Sequence, residues 1–213
     1  VTGGGSPSAP GAARAVREAL PGDVGPMCAT LARAFADDPI AGFLLPDPRR
    51  RPGGLRAFFG AQIAGDLLAF GGVYTTDDHA GVAAWAPPGK PMASGLRAVA
   101  GLARVLPFVL GSGLPRALRF LAHMESIHPK EPHWYLATLG TDPPRQGSGV
   151  GSALLGPVLA RCDREGTRAY LESSKERNLS FYRRHGFEVT GEFTVAGSPT
   201  VWTMWRDPRP GGG

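Results

Sequence analysis

The sequence predicts a mixed α/β (α+β) fold, a single domain on a central mixed, mostly antiparallel sheet flanked by helices. Three observations predict it. Residues 134–173 read as strand, glycine-rich loop, helix, strand. Two stretches, 72–86 and 187–205, read as hairpins, which are antiparallel by construction. Only the segment around the glycine loop has the strand–helix–strand form, so the repeated units of an all-parallel sheet are missing.

The elements follow in order. Residues 1–13 are low-complexity Gly/Ser/Pro/Ala and read as a disordered tail. Arg14 to Ala19 alternates as a first strand. Asp23 is the expected cap of a helix whose Val24, Met27, Cys28, Leu31 and Phe35 share one face, with Pro26 tolerated in the first turn. Asp37-Asp38-Pro39 ends it, and Ile40 to Leu45 is a short apolar segment. A second helix fits Leu55 to Leu68, with Leu55, Phe58, Phe59, Ile63 and Leu67 inward. Gly72 to Thr76, the turn Asp77-Asp78 and Gly81 to Ala86 make the first hairpin, closed by Pro87-Pro88. Ala93 to Met124 reads as two or three helices broken near Pro107 and Gly111-Ser112-Gly113, and His128 to Pro132 as a linker.

Trp134 to Leu139 is the apolar central strand, stopped by Asp142-Pro143-Pro144 because proline offers no N–H to a ladder. Beyond the glycines, Val150, Leu154, Leu155, Val158 and Leu159 recur at helical spacing up to Arg161. Ala169 to Ser173 is the next strand, and Asn178 to His185 a short helix with Gly186 as its left-handed stop. Phe187 to Val195 and Thr200 to Trp205 form the last hairpin, leaving 14–206 as the domain and 207–213 as a Pro/Gly tail.

Composition narrows the function. The chain has 213 residues and is 42% hydrophobic, enough for a sizeable core. Its net charge of +5 comes almost wholly from scattered arginine, the lysines being Lys90, Lys130 and Lys175. A scattered charge argues against nucleic acid as partner and leaves a mild preference for small anions. No apolar run reaches the ~20 residues of a membrane span, and no signal peptide is expected, so the reading is cytoplasmic. Cys28 and Cys162 fall on helical patterns as small core residues, and no Cys/His cluster has metal spacing. His79, His123 and His185 read as surface residues.

The chemistry is expected at the glycine loop, Gln146-Gly147-Ser148-Gly149-Val150-Gly151-Ser152. A helix that begins on glycines offers bare backbone N–H groups and the positive end of its dipole, a site for phosphate. A nucleoside-triphosphate loop would need Lys-Ser/Thr at the helix start. A dinucleotide loop fits better, with Ser152 as the third small residue and Glu172 at about the right distance, but Pro143-Pro144-Arg145-Gln146 separate strand from glycines. The pattern Gln/Arg-x-x-Gly-x-Gly/Ala, filled by Gln146 to Gly151, resembles the pyrophosphate loop of the GCN5-related N-acetyltransferases (GNAT). The block from His128 onward looks most like the puromycin-type members. It carries His128-Pro129-Lys130-Glu131-Pro132, Leu136-Ala137-Thr138, Leu171-Glu172-Ser173-Ser174, Arg177-Asn178-Leu179, Phe181-Tyr182 and Gly186-Phe187.

That resemblance implies the GNAT acyl-CoA fold and direct transfer of acetyl from acetyl-CoA to an amine. It implies that Leu139, Gly140 and Thr141 line the pantetheine and thioester, that Tyr182 is the general acid, that Asn178 holds cofactor, and that Glu172 takes the amine's proton. The step from Asn178 to Tyr182 is four residues, shorter than in many members. Gly140 within a strand signals either a bulge, which would free the Leu139 N–H for the thioester oxygen, or a close approach by another group. Glu172 could instead be structural, paired with Arg168 or Arg177. Phe43, Trp134 and Tyr135 belong either to the core, the expected place, or to an acceptor pocket. The expected acceptor is a small-molecule amine, antibiotics included, in a monomer or homodimer without nucleic acid or membrane. The rival readings are a peptide amino terminus as acceptor and a non-catalytic CoA-binding domain.

Overall fold

A computed structural model describes residues 15–90, 101, 103–108, 113–195 and 197–209. The expected tail 1–13 and the segment 91–100 lie outside the described residues. Among the described residues seven strands form one sheet, in the order β1-β2-β3-β4-β5-β7-β6. They are β1 (Val16–Glu18), β2 (Val73–Thr76), β3 (Gly81–Ala86), β4 (Trp134–Thr141), β5 (Ala169–Ser173), β6 (Glu188–Phe193) and β7 (Val201–Arg206). Only the β4–β5 pair is parallel. Among the described residues the helices include α1 (Val24–Ala34), α2 (Pro39–Leu44), α3 (Arg51–Gln62), α4 (Gly113–Ile127), α5 (Val150–Glu165) and α6 (Leu179–Arg184), and residues 103–108 are helical too. None of the described helices is long and apolar enough to cross a membrane.

Both faces of the sheet are covered. On one, Leu154, Leu155, Val158 and Cys162 of α5 pack against Trp85, Trp134, Leu136 and Leu171. On the other, Met27, Cys28 and Leu31 of α1, with Leu55 and Phe59 of α3, cover Val73, Val82 and Ala84. Burial on two sides explains why β3 shows no polar alternation, since all six of its residues are buried. Each fully buried leucine on these faces contributes about 1.5–3 kcal/mol.

One irregularity shapes the site. Cα pairing of β4 with β5 runs through Trp134–Ala169, Tyr135–Tyr170 and Leu136–Leu171, then stops, while β3 pairs with β4 as far as Thr141. Between Ala84 and Trp85 the register slips: Ala84 opposes Thr138 and Trp85 opposes Leu136, so Ala137 is an extra residue. The faces agree, because Ala137 and Thr138 both point to the α1–α3 side, where the Thr138 hydroxyl donates to the Gln62 side chain. The bulge bends β4 away from β5 and opens a wedge between parallel strands.

The bulge expected at Gly140 is therefore at Ala137, and Gly140 pairs regularly with Val82. A Cβ at Gly140 would lie 2.6 Å from Leu31 Cδ2 and 3.2 Å from the Ala34 Cβ. The glycine serves the other purpose foreseen for it, the close approach of α1. Gly140→Ala is expected to cost about 1–2 kcal/mol of stability through overpacking. A denaturant titration checks this, and an unchanged midpoint would mean that α1 yields freely.

Other boundaries moved for local reasons. Asp23 does not cap α1: a 3-10 turn, Pro21–Asp23, runs straight into the helix, so Asp23 has helical backbone angles (φ −80°, ψ −15°). Its carboxylate instead accepts from Arg17, from the Leu20 N–H (2.8 Å) and bonds His79 Nε2 (2.7 Å). These contacts, Arg17 foremost and then His79, hold it far below the usual carboxylate range, and His79 is drawn in from the surface position expected for it. The apolar segment after Asp38 is helix α2, capped by Asp38 accepting from Ile40 N–H (2.9 Å) and Ala41 N–H (3.0 Å). Asp-Pro thus stops one helix and starts the next. α3 begins at Arg51 with Pro52 in its first turn and continues as a π turn, Ile63–Leu67. Phe58, expected inward, is 41% exposed, because its neighbour Phe59 takes the core position and the two rings meet edge-on at 5.3 Å.

Candidate functional site

The loop between β4 and α5 is held from within. Pro143–Arg145 forms a 3-10 turn, the Gln146 amide donates to the Thr141 carbonyl (3.2 Å), and the Ser148 hydroxyl donates to the Arg145 carbonyl (2.6 Å). Arg33 of α1 grips Asp142 with two bonds (2.8 and 2.9 Å), which pulls that carboxyl below its ordinary range. Gly147 (φ 76°) and Gly149 (φ 85°) take left-handed backbone that a side chain would strain. No side chain caps α5, and its first intrahelical bond runs from Ala153 N–H to the Gly149 carbonyl (3.0 Å). The N–H groups of Val150, Gly151 and Ser152 consequently have no carbonyl a turn behind them, and the dipole's positive end lies there.

This tip opens on a cleft of about 380 Å³. Of the residues expected on the cofactor side, Leu139, Gly140, Thr141, Gln146, Gly147, Gly149, Val150, Gly151, Ser152 and Asn178 line it, and Tyr182 does too. Ser148 stays outside the lining, its hydroxyl turned back on Arg145. Arg145, Lys175, Arg177 and Arg184 also line the cleft with Asp38, and although Asp37 pairs with Lys175 and Arg177 the balance stays positive, so its surface favours an anion. Backbone direction follows from the ladder. Asp142 N–H donates to the Ala80 carbonyl of the β3 side (2.8 Å), so by alternation Gly140 also faces β3. Leu139 and Thr141 then present their N–H groups to the edge from which β5 has withdrawn.

Tyr182 sits on α6 with only 7% of its surface exposed, its ring edge-on to Phe181 at 5.2 Å and to Phe187 at 6.0 Å. Burial, and secondarily the Asp38 carboxylate, push its phenol well above the usual tyrosine value. Two loops are tied across the cleft. Asp37 binds Lys175 (2.6 Å) and Arg177 (2.9 Å), and Asp38 accepts from the Ser174 hydroxyl. Lys175 first, then Arg177, keeps Asp37 below its ordinary range. The sequence carries no local signal for this tie, because its partners lie 136–140 positions apart. Opposite charges in two separate loops are all that could have suggested it.

Glu172 lies elsewhere, outside the cleft lining. It follows Leu171, the last residue of β5 paired with β4, and alternation turns it to the opposite face. Its side chain is 7% exposed, and Oε1 has no hydrogen-bond partner among the described residues. Neither expected arginine reaches it: Arg168 binds Glu131 and Asp207, and Arg177 binds Asp37. Its neighbours are His128, with Nδ1 3.9 Å from Oε1, and the phenols of Tyr135 and Tyr170, which burial, then the Glu172 charge and hydrogen bonding to Glu172, push upward. Tyr135 stands beside this group and packs against the α1–α3 core, whereas Trp134 packs in the α5 core. His185 is not a free surface residue, since Nε2 lies 3.0 Å from the Ser152 hydroxyl. Cys28 and Cys162 are buried, unlinked thiols, and burial pushes Cys162 up to about 12, in keeping with core residues.

Among the described residues no group of His, Cys, Asp or Glu is placed to hold a metal ion. The pattern of the Acetyltransferase (GNAT) family matches residues 97–187. An uncharacterized N-acetyltransferase of Schizosaccharomyces pombe, C550.08, is 30% identical over 168 residues, 75% of this chain and 68% of that protein. A crystal structure from Corynebacterium glutamicum, described as histone acetyltransferase HPA2 and related acetyltransferase, is 29% identical with a TM-score of 0.68, covering 94% of this chain and 99% of its own. Polyamine N-acetyltransferase of Drosophila melanogaster shares the fold at 14% identity and a TM-score of 0.58, covering 91% of this chain and 99% of its own. A seven-stranded sheet that splays at its one parallel pair, beside a glycine-started helix, accompanies these likenesses, and the chain belongs to the GNAT acetyltransferase family.

Proposed function

We propose that the chain transfers the acetyl group of acetyl-CoA directly to a primary amine of a small molecule. One observation supports the reading: residues of the bare tip of α5, of the freed end of β4 and Tyr182 line one cation-lined cleft. Acetyl-CoA, the acetyl donor of this family, fits that chemistry through its phosphates. The N–H groups of Val150 to Ser152, with Arg145, Lys175, Arg177 and Arg184 nearby, hold the diphosphate, and Asn178 flanks the pantetheine. The Leu139 N–H stabilises the thioester oxygen as negative charge grows on it. The amine nitrogen attacks the thioester carbon, the C–S bond breaks, and Tyr182 gives its proton to the departing sulfur. Glu172, at the apex of the wedge on the acceptor side, takes the amine's proton.

A small acceptor is favoured because the Glu172 side chain, 7% exposed, stands among His128, Tyr135 and Tyr170. The puromycin-type residues from His128 to Pro132 point the same way, towards an amine-bearing antibiotic or other xenobiotic. The name of the Corynebacterium glutamicum relative favours a second reading, a protein or peptide amine. Mass spectrometry of a mixed library of small amines and peptides, incubated with acetyl-CoA and purified protein, separates the two. Acetylation of small amines supports the first, products confined to peptides overturn it, and no acetylated product at all overturns both.

A further inference from the structure

A base buried as deeply as Glu172 has to empty itself between turnovers. Once it has taken a proton its carboxyl is neutral, and with 7% of the side chain exposed it has little direct contact with water through which to lose that proton. His128 is placed to do the emptying. It follows α4, its N–H bonded to the Met124 carbonyl (3.0 Å). Its ring stands edge-on to Tyr135 (4.8 Å, 79°) and Tyr170 (5.7 Å, 87°), and Nδ1 is 3.9 Å from the partnerless Glu172 Oε1. The two side chains differ in access, with 32% of His128 exposed against 7% of Glu172.

We propose that His128 is the proton exit for Glu172, a positioning residue that carries each acceptor proton from the buried carboxyl to solvent. The proposal rests on the acetyl transfer described above, with Glu172 as base. An N–H bond of the ammonium breaks as an O–H bond forms on Glu172. That O–H bond breaks as an N–H bond forms on the imidazole, and the imidazolium releases a proton to water or buffer. No electron count changes. The 3.9 Å gap exceeds a hydrogen bond and has to close during turnover, as catalytic contacts commonly do when substrate binds.

The other titratable groups facing His128 do not serve. Tyr170 from β5 and Tyr135 from β4 are phenols raised by burial, so they remain protonated at neutral pH. His133, from the loop before β4, has its ring 5.1 Å from that of His128. Its Nδ1 is engaged by the Glu131 carbonyl (2.7 Å), it is itself buried, and burial chiefly lowers its pKa. It has neither the contact with Glu172 nor the path to water.

The test uses His128→Ala, His128→Asn and Glu172→Gln in the full chain, with the amine of the library that turns over fastest. Circular dichroism confirms folding, and His128→Asn keeps a planar side chain should alanine disturb the packing. Both His128 variants are expected to lose about tenfold or more in kcat at neutral pH, with KM for acetyl-CoA within about twofold of wild type. Added imidazole should restore a substantial part of the rate of His128→Ala and should accelerate neither wild type nor Glu172→Gln. A purely structural role would lower the rate without that rescue. Wild-type kcat in the His128 variants, or a loss that imidazole leaves untouched, overturns the relay alone. Wild-type kcat in Glu172→Gln overturns the base and the relay together, and a wild-type protein that acetylates no amine overturns the reading beneath both.

Discussion

Tyr182→Phe is expected to lower kcat by about a hundredfold while acetyl-CoA binds almost as before. The substitution removes one oxygen and keeps the ring, so the packing against Phe181 and Phe187 survives and the loss is confined to the proton donor. Burial acts in two directions here. It weakens the phenol as an acid, yet a thiolate formed in the same enclosed site is equally short of solvation and holds a proton more strongly. The sign of the pH effect is then fixed. A raised phenol pKa keeps the donor form populated to higher pH, so the alkaline loss of kcat due to Tyr182 should fall above ~10, the ordinary phenol value. Stopped-assay rates up to that pH, for wild type and Tyr182→Phe, check both statements. Equal turnover in the two proteins would remove Tyr182 from the chemistry.

Ser152→Asp is expected to weaken acetyl-CoA binding at least about tenfold without lowering the melting temperature. Position 152 is in the first turn of α5, where a carboxylate suits the helix dipole, so the fold gains or holds. The same carboxylate would occupy the place proposed for the cofactor's diphosphate and repel it. His185, 3.0 Å from the Ser152 hydroxyl, offers little relief, because burial, and then Arg184, Arg209 and Arg206, lower its pKa and keep it neutral near pH 7. Isothermal titration at two salt concentrations, with a melting curve alongside, reads the effect, which should shrink as salt screens the charges. Unchanged affinity would place the diphosphate away from the tip of α5.

Much of the candidate cleft was legible because it is nearly continuous. Trp134 to Ser173 runs strand, loop, helix, strand with clear periodicity, and the structure places these elements within a few residues of their expected bounds. Ten of the eleven residues expected on the cofactor side line one cleft, along with Tyr182. The bulge was misplaced because Ala137 looks like any strand residue, while Gly140, the conspicuous position, answers to a helix from the far end of the chain. Asp23 was misread in the same way, its helix-cap pattern being overruled by Arg17 and His79.

Periodicity and glycine spacing were enough to indicate a mixed sheet and a helix started on bare backbone. Those properties depend on residues within a turn or two of one another, where local geometry dictates the outcome. Which groups meet across the wedge was decided only by tertiary packing. The slip at Ala137, the Asp37 and Asp38 ties to Lys175, Arg177 and Ser174, and the enclosure of Glu172 beside His128 each join segments far apart in the chain. Contacts of that kind depend on how two sheet faces and their covering helices fit together, and one-dimensional spacing carries no record of that fit.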